Sequence, residues 1–581
     1  MSHILRITFI CLVFCQDKII VSAQVKQKKI PRVEQMPYLP KPLQIIDYKE
    51  LAFRFDRTVY DFNAKGKFWP IVWIDSSMKN FPQPVVGVYT AIGDVRQGPA
   101  NNKGMFHEAL AAMGAVIGAT LIGIDKSNQH NLNYVGMLKN YFNKETGWDI
   151  MMNNTCPEVA LLGGGYGRDW WYDVYPNVLF YAVYDQYPNE PGFKEIARSI
   201  AEKFFKADSI LNGNYDWSFF DYGNMKPMKN QICAQPDVAA GHAWVLYSAY
   251  KKFGEDRYLK GALSALSALQ SQSKNPTYEV LMPFGAYLSA RINAEQGKLY
   301  DMDKMLGWSF DGTPICREGW GVLVGNWNGI DVSGIVGSTV DHGGYGFLMN
   351  TYDAAWPLVP MVRYDQSYAT AIGRWMLNAA NAARLFYPQY MPDDHETIPQ
   401  LAEVTKGVIG YEGMIRRSSY KQHENLAGPV AQGDGPLWVA GKNPEESQFS
   451  VYGSGHAGIF GSIIRATNVT GVLQLNLLAT DFYHDKAWPS FLYYNPFPTG
   501  KTIKIKIEPG KKFDLYNTVS GTFVARNVLS VAQIKLSAQN AAVIVCVPSG
   551  GKVTHEGKKM LVNGIVVDYK YQGKDKFAFK N

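Results

Sequence analysis

Nine apolar-periodic runs, at 105–124, 131–142, 171–186, 192–210, 237–253, 256–270, 279–296, 350–362 and 366–386, constrain this chain more than anything else in it. Apolar residues recur in them every three to four positions, the spacing of one helix face. The runs arrive in pairs joined by turns of one kind. Asp185-Gln186-Tyr187-Pro188 leads to Phe193, Phe253-Gly254-Glu255-Asp256 to Tyr258, and Tyr364-Asp365-Gln366 to Tyr368. Such hairpins bury their apolar faces only against neighbouring hairpins. At roughly 45–65 residues the repeat is longer than most solenoid units, so a curl into an α/α toroid is expected over 101–440, incomplete or as a six-hairpin barrel. An open solenoid is the alternative.

Past Trp438 the helical period disappears. The runs 502–507 and 541–547, set between Gly, Pro and Asn turns, predict strands, and a C-terminal β-sandwich is expected over 445–581. Residues 24–100 form a Pro-rich lead-in with one helix predicted over 48–62. The fold class is therefore mainly α with a β domain, and 581 residues suit two or three domains.

His3 and Arg6 precede an apolar run from Ile7 to Cys15, and Val21-Ser22-Ala23 before Gln24 is a small-residue cleavage pattern. Residues 1–23 are thus expected to be a signal peptide, and the protein secreted or periplasmic. Bulky Phe14 argues against a lipoprotein anchor on Cys15. The run falls short of the ~20 apolar residues of a membrane span, and no other segment is expected to cross one.

Of six cysteines, Cys11 and Cys15 leave with the signal, and Cys156, Cys233, Cys316 and Cys546 stay. Their scatter lacks zinc spacing, so no metal or other cofactor is expected, while one disulfide is allowed in an oxidising compartment. The formal charge of +7 suits an anionic partner, and without a clustered basic stripe it does not suggest nucleic acid. Oligomeric state is not legible. Aromatic residues make up 13% of the chain, with 35 Tyr and 14 Trp. That surplus suits rings stacked on sugar faces, and equally the packing of a large domain.

If hairpins form a toroid, the starts of their first helices meet at one mouth. These starts carry Phe106-His107-Glu108, Arg168-Asp169-Trp170-Trp171, Pro236-Asp237, Tyr278-Glu279 and Asp341-His342-Gly343-Gly344-Tyr345. One acid at a helix start is usually a cap. Several at one rim, interleaved with Trp, Tyr, Arg and His, suggest a cleft. His456, in a glycine-rich stretch, is expected at the domain junction facing that cleft, with turn chemistry as the alternative. Likewise His342 has a reading as a turn residue, Tyr345 as core, and Trp170 with Trp171 as hairpin packing.

Trp170-Trp171-Tyr172-Asp173-Val174 followed by Pro176 resembles the Asn-Trp-Trp-x-x-Glu-Ile-Gly-x-Pro stretch of the α/α-toroid polysaccharide lyases, the chondroitin, hyaluronan, alginate and heparinase II/III-like group. Gly337-Ser338 through Asp341-His342 to Tyr345-Gly346 resembles their Asp-Gly-Ser…His…Tyr-x-Gly segment. The likeness covers about 30 residues plus the domain order, and it departs at Asp169, where the family has Asn, and at Asp173, where it has Glu. It implies β-elimination at a uronic acid, with Tyr345 and His342 as acid and base. Such chemistry removes the C5 proton, so the uronate carboxylate must be neutralised and the departing oxygen protonated. Arg168 or Arg317 would hold the carboxylate. Asp169 must be protonated, paired with Arg168 or turned away. Trp170, Trp171, Glu108, Asp237, Glu279, Asp341, Arg317 and His456 are the expected substrate contacts.

The leading expectation is an exported lyase acting on an anionic poly- or oligosaccharide, ulvan-type glycans included, with sugar or water as leaving group. A glycoside hydrolase using two carboxylates is the alternative. A non-catalytic glycan-binding protein is the third.

Overall fold

The computed structural model describes residues 25–572 except 67–68, 92–105, 161–165, 397–398, 400–404, 406, 419–420, 433–448 and 509. The expected signal peptide lies outside the described residues. Among the described residues, no helix is long and apolar enough to cross a membrane.

The lead-in has a single helical turn at Pro31–Glu34 and then helix α1 (Tyr48–Val59), whose N-cap Asp47 accepts from the backbone of Lys49 and Glu50. Then come α2 (Ala109–Leu121), α3 (Trp170–Gln186), α4 (Phe193–Leu211), α5 (Val238–Phe253), α6 (Asp256–Ser271), α7 (Met282–Gln296), α8 (Met302–Phe310), α9 (Leu348–Tyr364) and α10 (Ala369–Ala382). Helices α2, α3, α5, α7 and α9 are first members of pairs, and each packs on the next in that order. A short helix, Ala457–Ile463, packs on both α9 and α2, and α1 covers it from outside. First helices are buried on nearly every face, as α3 illustrates, whereas α4 and α6 bury one apolar stripe and expose the rest.

Several expectations are corrected. The run 131–142 gives only single turns, Tyr134–Met137 and Leu138–Tyr141, because the Asn140 amide donates to the carbonyls of Lys79 and Gln83 and binds this segment to the lead-in. Helix α8 was not predicted, since nine residues containing Gly307 give too short a periodic window. The expected β region from 445 is corrected at its described start: Val451–Gly455 and Ala457–Ile463 are helical and pack on α2, and the strands of the C-terminal sheet start at Ile464.

A small antiparallel sheet is inserted between α8 and the C-terminal region: β1 (Trp320–Val322), β2 (Val336–Ser338), β3 (Tyr345–Phe347), β4 (Gly413–Ile415) and β5 (Val430–Gln432), in spatial order β5-β4-β3-β2-β1. Glycines make its centre close enough to hold Tyr345. A Cβ at Gly337 would lie 1.9 Å from the Tyr345 carbonyl oxygen, and one at Gly413 would lie 2.5 Å from the Tyr345 ring. In register, Gly337 faces Gly346 and Ile415 faces Tyr345.

The C-terminal region is built on a six-stranded antiparallel sheet ordered Ile464–Ala466, Leu473–Asn476, Ser490–Asn495, Asn540–Pro548, Phe513–Asn517 and Thr522–Val528. The antiparallel pair of strands Lys501–Lys506 and Val531–Leu536 packs Ile503, Ile505, Ile534 and Leu536 against it in a separate small core. Strand Lys501–Lys506 alternates lysine outward with isoleucine inward, the period of a strand with one wet face.

Candidate active site at the starts of the first helices

Three carboxylates converge where α3, α5 and α7 begin. Asp169, the residue before α3, accepts from the Gln235 amide and from the Tyr278 hydroxyl at 3.3 Å. Asp237, just ahead of α5, accepts the Tyr278 backbone N–H at 2.9 Å, and its Oδ1 is buried without a hydrogen-bond partner among the described residues. Glu279, three residues ahead of α7, takes the Asn350 amide at 2.8 Å and the Arg317 guanidinium at 3.0 Å. Carboxylates buried this far from water prefer the neutral form. Burial raises Asp169 against the Gln235 and Tyr278 bonds and the charges of Arg317 and Arg168. It raises Glu279 to about 7 despite Arg317 and Asn350, and Asp237 to about 7, with Glu279 adding repulsion.

Arg317 is the hub. Its guanidinium lies 4.7 Å from the centre of the Trp320 ring and 5.8 Å from that of Tyr278, and its charge meets Glu279, Tyr278, Tyr345 and Asp341. Its side chain is 36% exposed, and Nε has no hydrogen-bond partner among the described residues. Glu279 raises its already high pKa further against burial, so the cation is permanent. Tyr345, half-buried, stacks 6.0 Å from Phe347 and lies 6.1 Å from the Trp320 ring.

A covalent bond joins two irregular loops on this rim, since Cys233 and Cys316 form a disulfide. It connects the residue before Arg317 to the loop that carries Gln235 and Asp237. Cys156 and Cys546 are free and buried.

The structure brings Asp169, Asp237, Glu279, Arg317, Asp341 and Tyr345 into one electrostatic neighbourhood. Arg168 is exposed beside Asp169, and His342 is exposed on the turn before β3 with a left-handed φ of 51°. Other expectations fail on geometry. Trp170 is fully buried, stacked on Tyr215 at 5.9 Å with its indole N–H toward the Tyr222 hydroxyl, so it packs the hairpin and offers no face to a sugar. Trp171 is 4% exposed and lies against Tyr172. Glu108 is also buried, accepting from Thr90 and Asn153 at 2.8 Å each. His456 does not face the cleft: it is 1% exposed, with Nδ1 2.6 Å from Asp353 and Nε2 3.2 Å from the Leu110 carbonyl. Burial disfavours its charge, but the Asp353 carboxylate outweighs burial and raises its pKa. The glycine-rich stretch around His456 serves close packing, since a Cβ at Gly114 would strike the imidazole and one at Gly458 would strike the Gly118 carbonyl.

Gln235, Asn350 and Trp320 are not among the residues the sequence reading places at the cleft. Only position could have flagged them: each lies within a few residues of a first-helix start or of Arg317. Among the described residues, no group of His, Cys, Asp and Glu is arranged to hold a metal ion.

No protein-family model matches the chain, and no curated protein matches it. Solved structures similar to it include a GH127 β-L-arabinofuranosidase from Geobacillus stearothermophilus T6, at 9% identity over 80% of this chain and 78% of that one, with a TM-score of 0.31. Another is a GH127 β-arabinofuranosidase at 11% identity, 92% and 84% coverage and a TM-score of 0.37. A third is an unsaturated glucuronyl hydrolase from Streptcoccus agalactiae, at 11% identity, 61% and 77% coverage and a TM-score of 0.27. Likenesses this distant carry no weight for the chemistry, which rests on the residues themselves.

Proposed function

We propose that the ring of first helices is an α/α toroid and that the chain is an exported carbohydrate-active lyase, eliminating across C4 and C5 of a uronic acid in an anionic saccharide. The observation that carries this reading is Arg317: a permanent, partly exposed cation among acids that burial pushes toward neutrality. Were Asp169, Asp237 and Glu279 all ionised, they would repel a uronate. Raised toward neutrality by burial, they repel it less, and the exposed edge of the guanidinium is left to donate to the substrate carboxylate.

With the carboxylate neutralised, the C5 proton becomes removable. Tyr345, in the field of Arg317, takes that proton as phenolate or returns one to the departing oxygen as phenol, and His342 serves the complementary transfer. The C5–H electron pair becomes the C4–C5 double bond as the C4–O bond breaks, and the leaving oxygen, of sugar or water, departs with a proton. The Cys233–Cys316 disulfide supports the exported setting, in which such bonds persist.

An ultraviolet assay across uronate oligosaccharides tests the reaction, because elimination creates a conjugated, absorbing product. Absorbance growth that Tyr345→Phe abolishes supports it, and products without absorbance refute it. A second reading, hydrolysis, is favoured by one observation: Asp237 and Glu279 interact and are both raised to about 7, so one could stay protonated as an acid while the other ionises. Heavy-oxygen water separates the two, since only hydrolysis puts solvent oxygen into the product.

A further inference from the structure

Against the turn Asp341–Gly343 lie two arginines, Arg416 and Arg417, that the elimination chemistry does not use. The turn is bracketed by guanidinium-bearing side chains. On one side Arg317 interacts with Asp341 and Tyr345. On the other, the Arg417 side chain lies over the turn, since a Cβ built on Gly343 would meet its Cδ at 3.4 Å and its Nε at 3.5 Å. The backbone fixes this placement: Arg416 N–H donates to the Gly344 carbonyl at 2.9 Å, and Arg417 N–H to the His342 carbonyl at 3.0 Å. These bonds continue the pairing of β3 with β4 one step past Ile415 and Tyr345. They also hold His342 in its left-handed conformation, one that non-glycine residues seldom adopt.

Arg317 has a carboxylate partner, Glu279, whereas Arg416 and Arg417 are exposed and form no ion pair among the described residues. Asp341, the acid of the same turn, pairs with neither. Two adjacent arginines held by main-chain bonds beside the site, with their charge unspent, are suited to an oxyanion on the ligand.

Resting on the assignment of Arg317 as the uronate clamp, we infer that Arg416 and Arg417 form a second anion subsite, which takes a sulfate ester or carboxylate on a sugar neighbouring the bound uronate. The substrate class is accordingly a glycan with more than one anionic group across the bound residues. Arg317 engages the uronate that reacts, and the Arg416–Arg417 pair sets which neighbour is accepted.

Calorimetric binding, read without turnover, tests this. The probes are a sulfated glucuronate oligosaccharide, its desulfated form, and the desulfated form with its neighbouring carboxyl reduced. Wild type is expected to lose about tenfold in affinity when the second oxyanion is removed, about 1.4 kcal/mol. Loss at the desulfation step assigns the anion as sulfate, and loss at the reduction step as carboxylate. The double variant Arg416→Gln with Arg417→Gln should bind all three probes alike, at the affinity wild type shows for the last. The double lysine variant should retain part of the preference, showing that charge and not loop collapse is read. Binding of all probes within twofold in wild type, or an undiminished preference in the double glutamine variant, overturns the subsite. Should no uronate be eliminated by wild type while this preference persists, the lyase reading fails and the subsite stands.

Discussion

The two ends of helix α7 carry charge in opposite ways. At its start, Glu279 shares one cation with its neighbours and sits near two further buried acids, so burial pushes all three carboxyls toward neutrality. Toward its far end, about 14 Å past Met282 for nine residues at 1.5 Å each, Arg291 donates to Glu295 at 2.9 Å, the Tyr287 hydroxyl at 2.8 Å, and the carbonyls of Phe482 and Tyr483 at 3.0 and 2.6 Å. Asp481 completes that cluster, bonded to Arg363 from α9 and to the Tyr287 hydroxyl at 2.5 Å. The lower cluster is a saturated clamp between the helices and the C-terminal region. The one at the helix start has, among the described residues, unmet donors and acceptors on Arg317, Asp237 and Asn350. Buried charge that is fully partnered stabilises an arrangement, and charge left short of partners is available to a ligand.

Breaking the lower clamp should give the largest effect. Arg291→Met leaves Asp481 and Glu295 short of a buried counter-ion, with an expected loss of about 3–5 kcal/mol in denaturant unfolding. An unchanged midpoint would show that the clamp is dispensable.

At the upper end the effect should depend on pH. Glu279 has a folded-state pKa of about 7 against an ordinary value of 4.5, so the folded chain binds this proton more tightly than the unfolded one. Its contribution is fully present below 4.5 and is lost as pH rises through 7, by about 3 kcal/mol at most. Glu279→Gln should flatten stability in that window, visible in unfolding curves taken every half unit, and a wild-type slope retained in the variant would contradict the raised pKa.

Removing the rim crosslink comes next. Cys233→Ser with Cys316→Ser frees two loops 83 residues apart, with an expected cost of about 2–3 kcal/mol. Hydrogen exchange should rise in 312–322 and 229–237 while α7 stays protected, and uniform exchange would deny the bond a local role. Smallest is Arg317→Lys, which keeps the charge but loses the planar fork. It should raise KM for a uronate substrate roughly tenfold, about 1.4 kcal/mol, with a lesser change in kcat. An equal fall in kcat with KM constant would move Arg317 from binding to chemistry.

How much of this was legible beforehand varies with the physics of each element. Outer helices such as α4 have a wet face and a dry face, and their period is plain in sequence. The three-residue strands β1 to β5 are too short to show any period, so the sheet that holds Tyr345 was invisible even though Tyr345 itself stood out. His456 looked like a cleft residue because it lies at the domain junction, but the glycines around it admit close helix packing instead.

By itself the sequence determined the helical hairpins, the β-rich C-terminus and the concentration of acids, Tyr and Arg at helix starts, because periodicity and capping act over a few residues. Only the tertiary structure decided that Glu279 meets Arg317, that Cys233 meets Cys316, that Trp170 is sealed in and that Arg417 overlies the turn at His342. Those facts depend on contacts between segments tens of residues apart and on how much water reaches each group, and neither is written in local pattern.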